Sequence, residues 1–381
     1  MSVAELLEGK RVCVCAGPGG VGKTTTSAAI ALGMAARGAK VAVVTIDPAR
    51  RLANALGLEE LQNEPRRVEP SRLSGSRLKI RGELWAMMLD PKRTFDDLID
   101  RIAPEPARAE EIKANRIYRE LSTAVSGSQE FTAVAKLYDL DQQGDFDLLV
   151  LDTPPSRNAL DFFDAPGRLT SFLEGPAMKA IVRPTGIGVR VLGRSASPLL
   201  SALRRVTGVD LITDLTTFFG LLGDMTKDFS VRAARVQKLL QADSTGFLLV
   251  TSAQRERIDE AIWFRRTLEE SRLPFAGVLV NRVHHDLLGN SEPNGVETAL
   301  ASRLGADLAA KVTANFLDYH LLARRDGANI ARLEAEFGDG PLLLVPHFDD
   351  DVHDIDGLLR IHRYLFASHA ERARMIEKVV A

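Results

Sequence analysis

The chain is organised around VCVCAGPGGVGKTTT, the stretch at residues 12–26. Its first part, Val12–Ala16, is a short apolar run typical of a buried strand, and four glycines follow within six residues. A helical pattern, Thr24–Arg37, begins directly after Lys23. This order of strand, glycine-rich loop and helix predicts a phosphate-binding loop, because glycine lets successive backbone N–H groups surround an anion at the positive end of a helix.

The residues of this loop have separate predicted roles. Lys23 would reach the terminal phosphates, and Thr24 would hold Mg2+. The predicted nucleotide-binding residues of the loop are Gly17, Gly19, Gly20, Val21, Gly22, Lys23, Thr24 and Thr25. Gly17, Gly19 and Gly22 also match G-x-G-x-x-G, the shorter motif of nicotinamide and flavin sites. The complete G-x-x-x-x-G-K-T motif favours a nucleoside triphosphate such as ATP, and NAD binding is the alternative.

The bulk composition is that of an ordinary soluble globular protein. Of 381 residues, 45% are hydrophobic and 26% charged, and the net charge is -2, which gives no general case for nucleic-acid binding. Residues 1–11 carry charges where a signal peptide needs an apolar stretch, and no run reaches the roughly 18 apolar residues of a membrane span. We therefore expect a cytoplasmic protein with no nucleic-acid partner.

Apolar runs alternate with helical patterns along the whole chain. The further predicted strands are Lys40–Ile46, Leu84–Asp90, Asp147–Asp152, Gly246–Thr251, Phe275–Asn281 and Pro341–Val345. This alternation predicts a doubly wound, mostly parallel α/β sheet. Helical patterns at about 91–145 and 160–240 predict an α-helical subdomain inserted into a single P-loop domain that spans residues 1–381.

Two acidic residues follow strands of the predicted sheet. Asp47 comes after Lys40–Ile46, and Asp152 closes Asp147–Asp152. Both are predicted site residues, because ligands bind at the carboxyl edge of a parallel sheet, where the glycine-rich loop also lies. Asp152 has the position of a Walker B aspartate that supports Mg2+. The segment Thr153–Ser156 is predicted to be a switch that senses the γ-phosphate.

One apolar stripe is open to two interpretations. It consists of Leu211, Leu215, Phe218, Phe219, Leu222, Met225 and Phe229, which recur at helical spacing. Packing between helices is the ordinary interpretation, and a surface that receives an apolar client is the other. Residues 175–209 contain six basic residues and no acidic one, which leaves peripheral association with a membrane as a further option.

Taken together, these motifs resemble those of one protein family. The resemblance is carried by GGVGKTT at residues 19–25, Asp47-Pro48-Ala49, Asp152-Thr153-x-Pro155, Asn281 after its strand, and Val345-Pro346 before the last helices. The chain resembles the arsenical pump-driving ATPase and tail-anchored-protein targeting ATPase family, which is related to the ParA and MinD partitioning proteins. The resemblance covers nearly the whole chain. It implies a dimeric, Mg2+-dependent ATPase with a protein or membrane-associated client.

The resemblance also implies roles for single residues. The implied catalytic residues are Lys23, Asp47 and Asp152, and the implied metal residues are Thr24, Asp47 and Asp152. Asp47 would orient the attacking water, Asn281 would hydrogen-bond adenine, and Pro346 would lie near the adenine ring. Gln254 would touch the nucleotide across the dimer. The ordinary alternatives are a cap at a strand end for Asn281 and a solvated helix residue for Gln254.

The glycine-rich loop departs from the family at one position. The family has a second lysine directly after the first glycine, and this chain has Pro18. A cation supplied by the partner raises the rate of phosphoryl transfer by about 10^3 to 10^5. A homodimer should therefore hydrolyse ATP slowly unless Arg50 or Arg51 replaces the lysine. Otherwise the chain is a weakly hydrolysing subunit of a heterodimer with a paralogue that has the lysine. In the second switch, Arg157-Asn158 replaces the family's Gly-His.

The sequence says less about the client. Arsenite is held by thiolates, and the only cysteines, Cys13 and Cys15, lie in the first predicted strand as core residues. The zinc-binding Cys-x-x-Cys pair of many targeting ATPases is absent. The histidines in His284-His285-Asp286 and His347–His353 match no metal-ligand spacing. A protein client and a membrane-associated client therefore both stay open.

Overall fold

The computed structural model describes most of the chain. The described ranges are 1–47, 50–69, 78–119, 128–154, 217–218, 220–222, 225–288, 295–338, 340–352 and 354–380. Predictions that fall on Pro48, Ala49 and residues 155–216 therefore lie outside the described residues. These include most of the second switch and the basic stretch at 175–209.

Eight strands of the described chain form one sheet. In chain order they are β1 (Val12–Ala16), β2 (Lys40–Thr45), β3 (Arg66–Arg67), β4 (Glu83–Met88), β5 (Leu148–Asp152), β6 (Thr245–Ser252), β7 (Phe275–Val283) and β8 (Leu342–Pro346). Their spatial order is β3-β4-β2-β5-β1-β6-β7-β8. Every neighbouring pair is parallel except β3 and β4. The predicted mostly parallel sheet is confirmed, and the predicted strand ends agree with the observed ones within two residues.

Helices cover both faces of this sheet. They are α1 (Val3–Leu6), α2 (Lys23–Ala36), α3 (Arg51–Ala55), α4 (Pro91–Ile102), α5 (Pro106–Ala114), α6 (Ser128–Gln143), α7 (Met225–Gln241), α8 (Arg255–Glu270), α9 (Val296–Leu304), α10 (Ala306–Phe337), α11 (Ile355–Phe366) and α12 (His369–Val380). None of these helices is long and apolar enough to cross a membrane.

Alternate residues of β1 enter two different apolar layers. Cys13 and Cys15 pack in the layer that contains α2 and α11, whereas Val12 and Val14 pack in the layer that contains α6, α7 and α8. This follows from the period of two along a strand. Both thiols are fully buried, as predicted, and a hydrogen bond with Cys15 together with burial raises the pKa of Cys13. Cys13 is therefore a protonated core thiol at neutral pH.

A third apolar cluster lies among the helices. It joins residues of α4, α5 and α6 to Phe218, Leu222 and Met225. These three members of the apolar stripe are at most 5% exposed, which supports the interpretation of the stripe as packing between helices. Leu211, Leu215 and Phe219, as well as the side chain of Phe229, lie outside the described part. The extent of the helical subdomain, at about 91–145 and 160–240, stays a prediction.

Candidate functional site

The loop between β1 and α2 requires glycine at two close approaches. Gly17 has φ 145° and Gly22 has φ 93°, which are backbone conformations that other residues rarely adopt. A Cβ on Gly17 would lie 2.0 Å from the carbonyl oxygen of Val250 in β6, and one on Gly22 would lie 2.5 Å from Nδ2 of Asn281 in β7. The loop therefore packs directly against β6 and β7, and α2 begins directly after it.

Lys23 folds back over this loop. Its Nζ donates hydrogen bonds to the carbonyl oxygens of Gly17, at 2.9 Å, and Pro18, at 2.8 Å. The side chain is buried, and burial lowers its pKa from 10.5 to about 8, although the charge of Asp152 opposes this shift. Phosphate oxygens would give this ammonium group charged acceptors, which form stronger hydrogen bonds than neutral carbonyls.

Asp152 lies where three strands of the sheet end together. The register places it beside Cys15 of β1 and Thr45 of β2. Its Oδ2 accepts hydrogen bonds from the hydroxyls of Thr24, at 2.7 Å, and Thr45, at 2.8 Å. The carboxylate is 1% exposed, and burial raises its pKa from 3.8 to about 6 despite the opposing effect of the two hydroxyls. Thr45 was not predicted as a site residue, because a threonine at a strand end is also an ordinary β-former.

These residues fit a magnesium ion. The Oδ1 atom of Asp152 is buried and has no hydrogen-bond partner among the residues that the structure describes. A carboxylate oxygen and the Thr24 hydroxyl are the hard oxygen ligands that Mg2+ prefers. Burial raises the pKa of Asp152 because it disfavours the charged carboxylate, and a divalent cation would offset this penalty.

Asp47 lies at the rim of the site beside an arginine. Its backbone N–H donates to Oγ1 of Thr45, at 3.2 Å, and its carboxylate lies 3.6 Å from the guanidinium of Arg51. Both side chains line the main cavity. Arg50 instead lies 4.0 Å from Glu60 and lines a smaller cavity of about 210 Å3. Of the two arginines predicted as substitutes for the missing lysine, Arg51 is thus the one that lines the main cavity.

The main cavity extends from the glycine-rich loop to the ends of β7 and β8. Its volume is about 420 Å3, within the range of small-molecule sites. The wall at the ends of β7 and β8, called the far wall, contains Asn281, Arg282, His347 and Phe348. Asn281 is buried, and its Nδ2 donates to the Val21 carbonyl oxygen at 2.9 Å. This hydrogen bond joins the far wall to the glycine-rich loop.

The second switch begins inside the same cavity. Thr153 lines the cavity, and its hydroxyl donates to the carbonyl oxygen of Cys15 at 2.9 Å. The structure describes the switch only up to Pro154. The replacement of the family's Gly-His by Arg157-Asn158 therefore lies outside the described residues.

Comparison with known proteins decides the family. The family model described as "Anion-transporting ATPase" matches residues 10–296, which is more than half of the chain. The chain belongs to the anion-transporting ATPase family. The match includes the glycine-rich loop, Asp47, Asp152, Gln254 and Asn281, and it ends before α10 and β8.

Curated relatives of this anion-transporting ATPase family member are similar over part of their length. The ATPase get3 of Aspergillus terreus is 26% identical over 219 residues, which are 53% of this chain and 61% of the relative. The ATPase GET3 of Rhodotorula glutinis is 27% identical over 52% of this chain and 49% of its own. The ATPase ASNA1 homolog of Dictyostelium discoideum is 29% identical over 40% of this chain and 41% of its own. The chain thus spans less than two thirds of the length of these relatives.

Six predicted site residues of this family member do not line the main cavity: Gly17, Gly19, Val21, Asp152, Gln254 and Pro346. Gln254 and Pro346 are the two that also lie away from the glycine-rich loop and Asp152. Gln254 is exposed at the start of α8 and makes no capping hydrogen bond with its side chain. Pro346 is buried at the end of β8, where it pairs with Val283 and directly precedes His347. The predicted contact of Gln254 is one across a dimer, so it stays a prediction. Pro346 is next to the cavity wall, and its predicted contact with adenine also stays a prediction.

Proposed function

We propose that this chain is a Mg2+-dependent ATPase that works as a dimer and couples its nucleotide state to a protein or membrane-associated client. One observation carries the proposal: Thr24 and Thr45 hold the buried Asp152 beside Lys23, under a loop that two close approaches restrict to glycine. Membership of the anion-transporting ATPase family supports the nucleotide. The 420 Å3 cavity supports a ligand that extends beyond the phosphates.

Each residue has a definite task in this proposal. Lys23 and the backbone N–H groups of the loop bind the β- and γ-phosphates, and Thr24 and Asp152 hold Mg2+. When bound, Mg2+ neutralises charge that develops on the phosphate oxygens. Asp47 orients the water that attacks the γ-phosphate. Its side chain is suited to this task because it lines the same cavity as Thr153, the first residue of the second switch.

The role of Asp47 can be tested by replacing its carboxylate with an amide. We expect Asp47→Asn to lower kcat by about 10^2 to 10^4, the usual contribution of a positioned base, while ATP binding is largely kept. Hydrolysis is measured as phosphate release, and binding is measured by calorimetry with Mg2+ and ATP. The matched control is Asp145→Asn, an exposed aspartate that precedes β5 at the opposite edge of the sheet. Undiminished hydrolysis by Asp47→Asn would show that another group orients the water.

The same variant gives access to the dimer and to the client. Because Asp47→Asn should bind ATP without turning it over, it should accumulate as the ATP-bound dimer. Light scattering with ATP and with ADP measures the oligomeric state of this form. A client that binds the ATP form should be retained by this variant with ATP and released with ADP. A monomer in both nucleotides would contradict the dimer.

The missing lysine makes a second function worth testing. With Pro18 at its position, the chain could be a weakly hydrolysing subunit that pairs with a lysine-bearing paralogue. Arg51 supports a complete homodimer instead, because its guanidinium lies 3.6 Å from Asp47 and lines the cavity. Its side chain is 66% exposed, so it can move toward a transferring phosphoryl group.

Two variants separate these two functions. In a complete homodimer, Arg51→Gln should lower kcat by at least about tenfold, because the cation is lost, and Pro18→Lys in the same chain should recover much of the rate. Arg50→Gln is the matched control, since Arg50 contacts Glu60 outside the main cavity. In the heterodimer, wild-type hydrolysis is already near zero, and Pro18→Lys alone raises it. Steady-state phosphate release by the purified chains distinguishes the two cases.

A further inference from the structure

The segment after β7 is tied to the long helix α10. The backbone N–H of His284 donates to Oδ2 of Asp326 at 3.1 Å, and the Nδ1 of its ring lies 2.7 Å from the same oxygen. Asp326 belongs to α10, 42 positions further along the chain, and is 2% exposed. Because a carboxylate only accepts hydrogen bonds, the ring donates through Nδ1. A buried carboxylate is tolerated when it accepts hydrogen bonds, and here one residue, His284, donates two of them, one from its backbone and one from its ring.

The ring of His284 lies directly behind the far wall of the main cavity. It meets the His347 ring edge to face, with centroids 4.9 Å apart and planes at 75°. The His284 ring also contacts the ring of Tyr319 on α10, with centroids 5.4 Å apart. The backbone N–H of His347 donates to the Val283 carbonyl oxygen at 2.9 Å. His347 itself lines the cavity, so its contact with the His284 ring connects His284 to the cavity lining.

Arg282, another residue of this wall, needs support from its neighbours. The pairing of β7 with β8 shifts register between Val280 and Val283, and Arg282 has φ 59°, in the left-handed region. Such a conformation persists in a non-glycine residue only where the surroundings fix it. Asn281 Oδ1 accepts the Arg282 N–H at 3.0 Å on one side of the bulge, and Asp326 accepts the His284 N–H on the other. The bulge is therefore held at both ends.

We propose that Asp326 and His284 are positioning residues for the base and ribose end of the nucleotide pocket. This inference rests on the proposed function, since it takes the glycine-rich loop as the phosphate end. A nucleotide with its phosphates on that loop would place its base and ribose in the rest of the cavity, and this proposal places them against Arg282 and His347, which line it. Asp326 fixes His284, and His284 fixes the backbone of Arg282 and the ring of His347.

Two features separate this role from other interpretations of the cluster. The described residues include no group of three or more metal-ligating side chains, which leaves no metal centre for His284 and Asp326 to serve there. Asp326 also lies beyond residues 10–296, the part that the family model matches. In this proposal, the support for the base end therefore comes from a helix outside the matched residues.

The test compares a ligand that has a base and ribose with one that lacks both. We expect Asp326→Asn to weaken ATP binding about tenfold, since the hydrogen bonds to a charged acceptor become neutral ones. Binding of inorganic tripolyphosphate should stay unchanged, because it reaches only the glycine-rich loop. Both affinities are measured by calorimetry on the full chain with Mg2+.

A second variant and a control keep the test decisive if Asp326→Asn folds poorly. His284→Asn can still donate to Asp326 but has no ring to place against His347, and it should show the same selective loss for ATP. Asp318→Asn, on the exposed surface of α10, should change neither affinity. Unchanged ATP binding, or equal losses for both ligands, in the two site variants would overturn the positioning role. A wild-type chain that binds neither ligand would instead overturn the proposed function.

Discussion

At the residue scale, the site is built around two buried charges of opposite sign. Burial lowers the pKa of Lys23 to about 8 and raises that of Asp152 to about 6, so both groups are charged at neutral pH in surroundings that disfavour charge. Their mutual attraction offsets part of this penalty. A magnesium nucleotide offers an anion to Lys23 and a cation to Asp152. Its binding should therefore stabilise the folded chain as well as occupy the site.

The raised pKa of Asp152 makes the stability of the ligand-free chain depend on pH. Between pH 4 and 6 the folded carboxyl keeps a proton that the unfolded chain, with a pKa near 3.8, has released. The free energy of unfolding therefore falls as pH rises through this range, by up to about 3 kcal/mol, and stays lower above it. Asp152→Asn lacks this titration. Urea unfolding is measured in EDTA from pH 4 to 7. Over this range the free energy of unfolding of the wild type should fall by up to about 3 kcal/mol more than that of the variant. Equal changes in the two proteins would show that Asp152 is not the source of the pH dependence.

The sequence identified the motif residues that the structure brings together, but not the residues that hold them in place. Lys23 and Thr24 could be assigned because motif spacing fixes their place on the strand–loop–helix unit, and Asp152 could be assigned because an acidic residue closes an apolar strand. Thr45 could not, since its role arises from the register that puts β2 beside β5. His284 and Asp326 are separated by 42 residues, and no local pattern indicates that they meet.

At the element scale, the strands were predictable where the sheet buries both of their faces. Such strands are continuous apolar runs, and every residue of β1, β5 and β6 is buried. The edge strand β3 was missed, because it consists of two exposed arginines and its pairing is antiparallel. The helix α10 was missed as well. Its first half is largely exposed, so the apolar face that marks a helix is weak there.

The same elements explain why the predicted site residues meet. β1, β2 and β5 are neighbours, and their parallel direction brings the glycine-rich loop, Asp47 and Asp152 to one edge. β7 and β8 end at that edge too, which adds Asn281 and His347 to the same cavity. A doubly wound sheet thus collects residues from distant parts of the sequence at its carboxyl edge.

At the scale of the whole molecule, one arginine joins the two ends of the described chain. Arg372 of α12 is 7% exposed. Its guanidinium donates to the carbonyl oxygens of Tyr364 at 3.1 Å, Ala367 at 2.7 Å and Met1 at 2.6 Å. Tyr364 lies on α11, which packs against α2 behind the glycine-rich loop. This contact therefore connects the outermost helices to the layer that supports the nucleotide site.

Because its cation is buried and accepted by three carbonyls, Arg372 should contribute strongly to stability. We expect Arg372→Ala to lower the free energy of unfolding by about 2–4 kcal/mol, since the carbonyls lose a charged donor and a cavity is left behind. Arg372→Lys should recover only part of this loss, because an ammonium group cannot reproduce the planar fork of donors. Arg374→Ala, on the exposed surface of the same helix, should change stability by less than about 0.5 kcal/mol. Equal midpoints of urea unfolding for Arg372→Ala and Arg374→Ala would show that the ends of the chain are held by apolar packing alone.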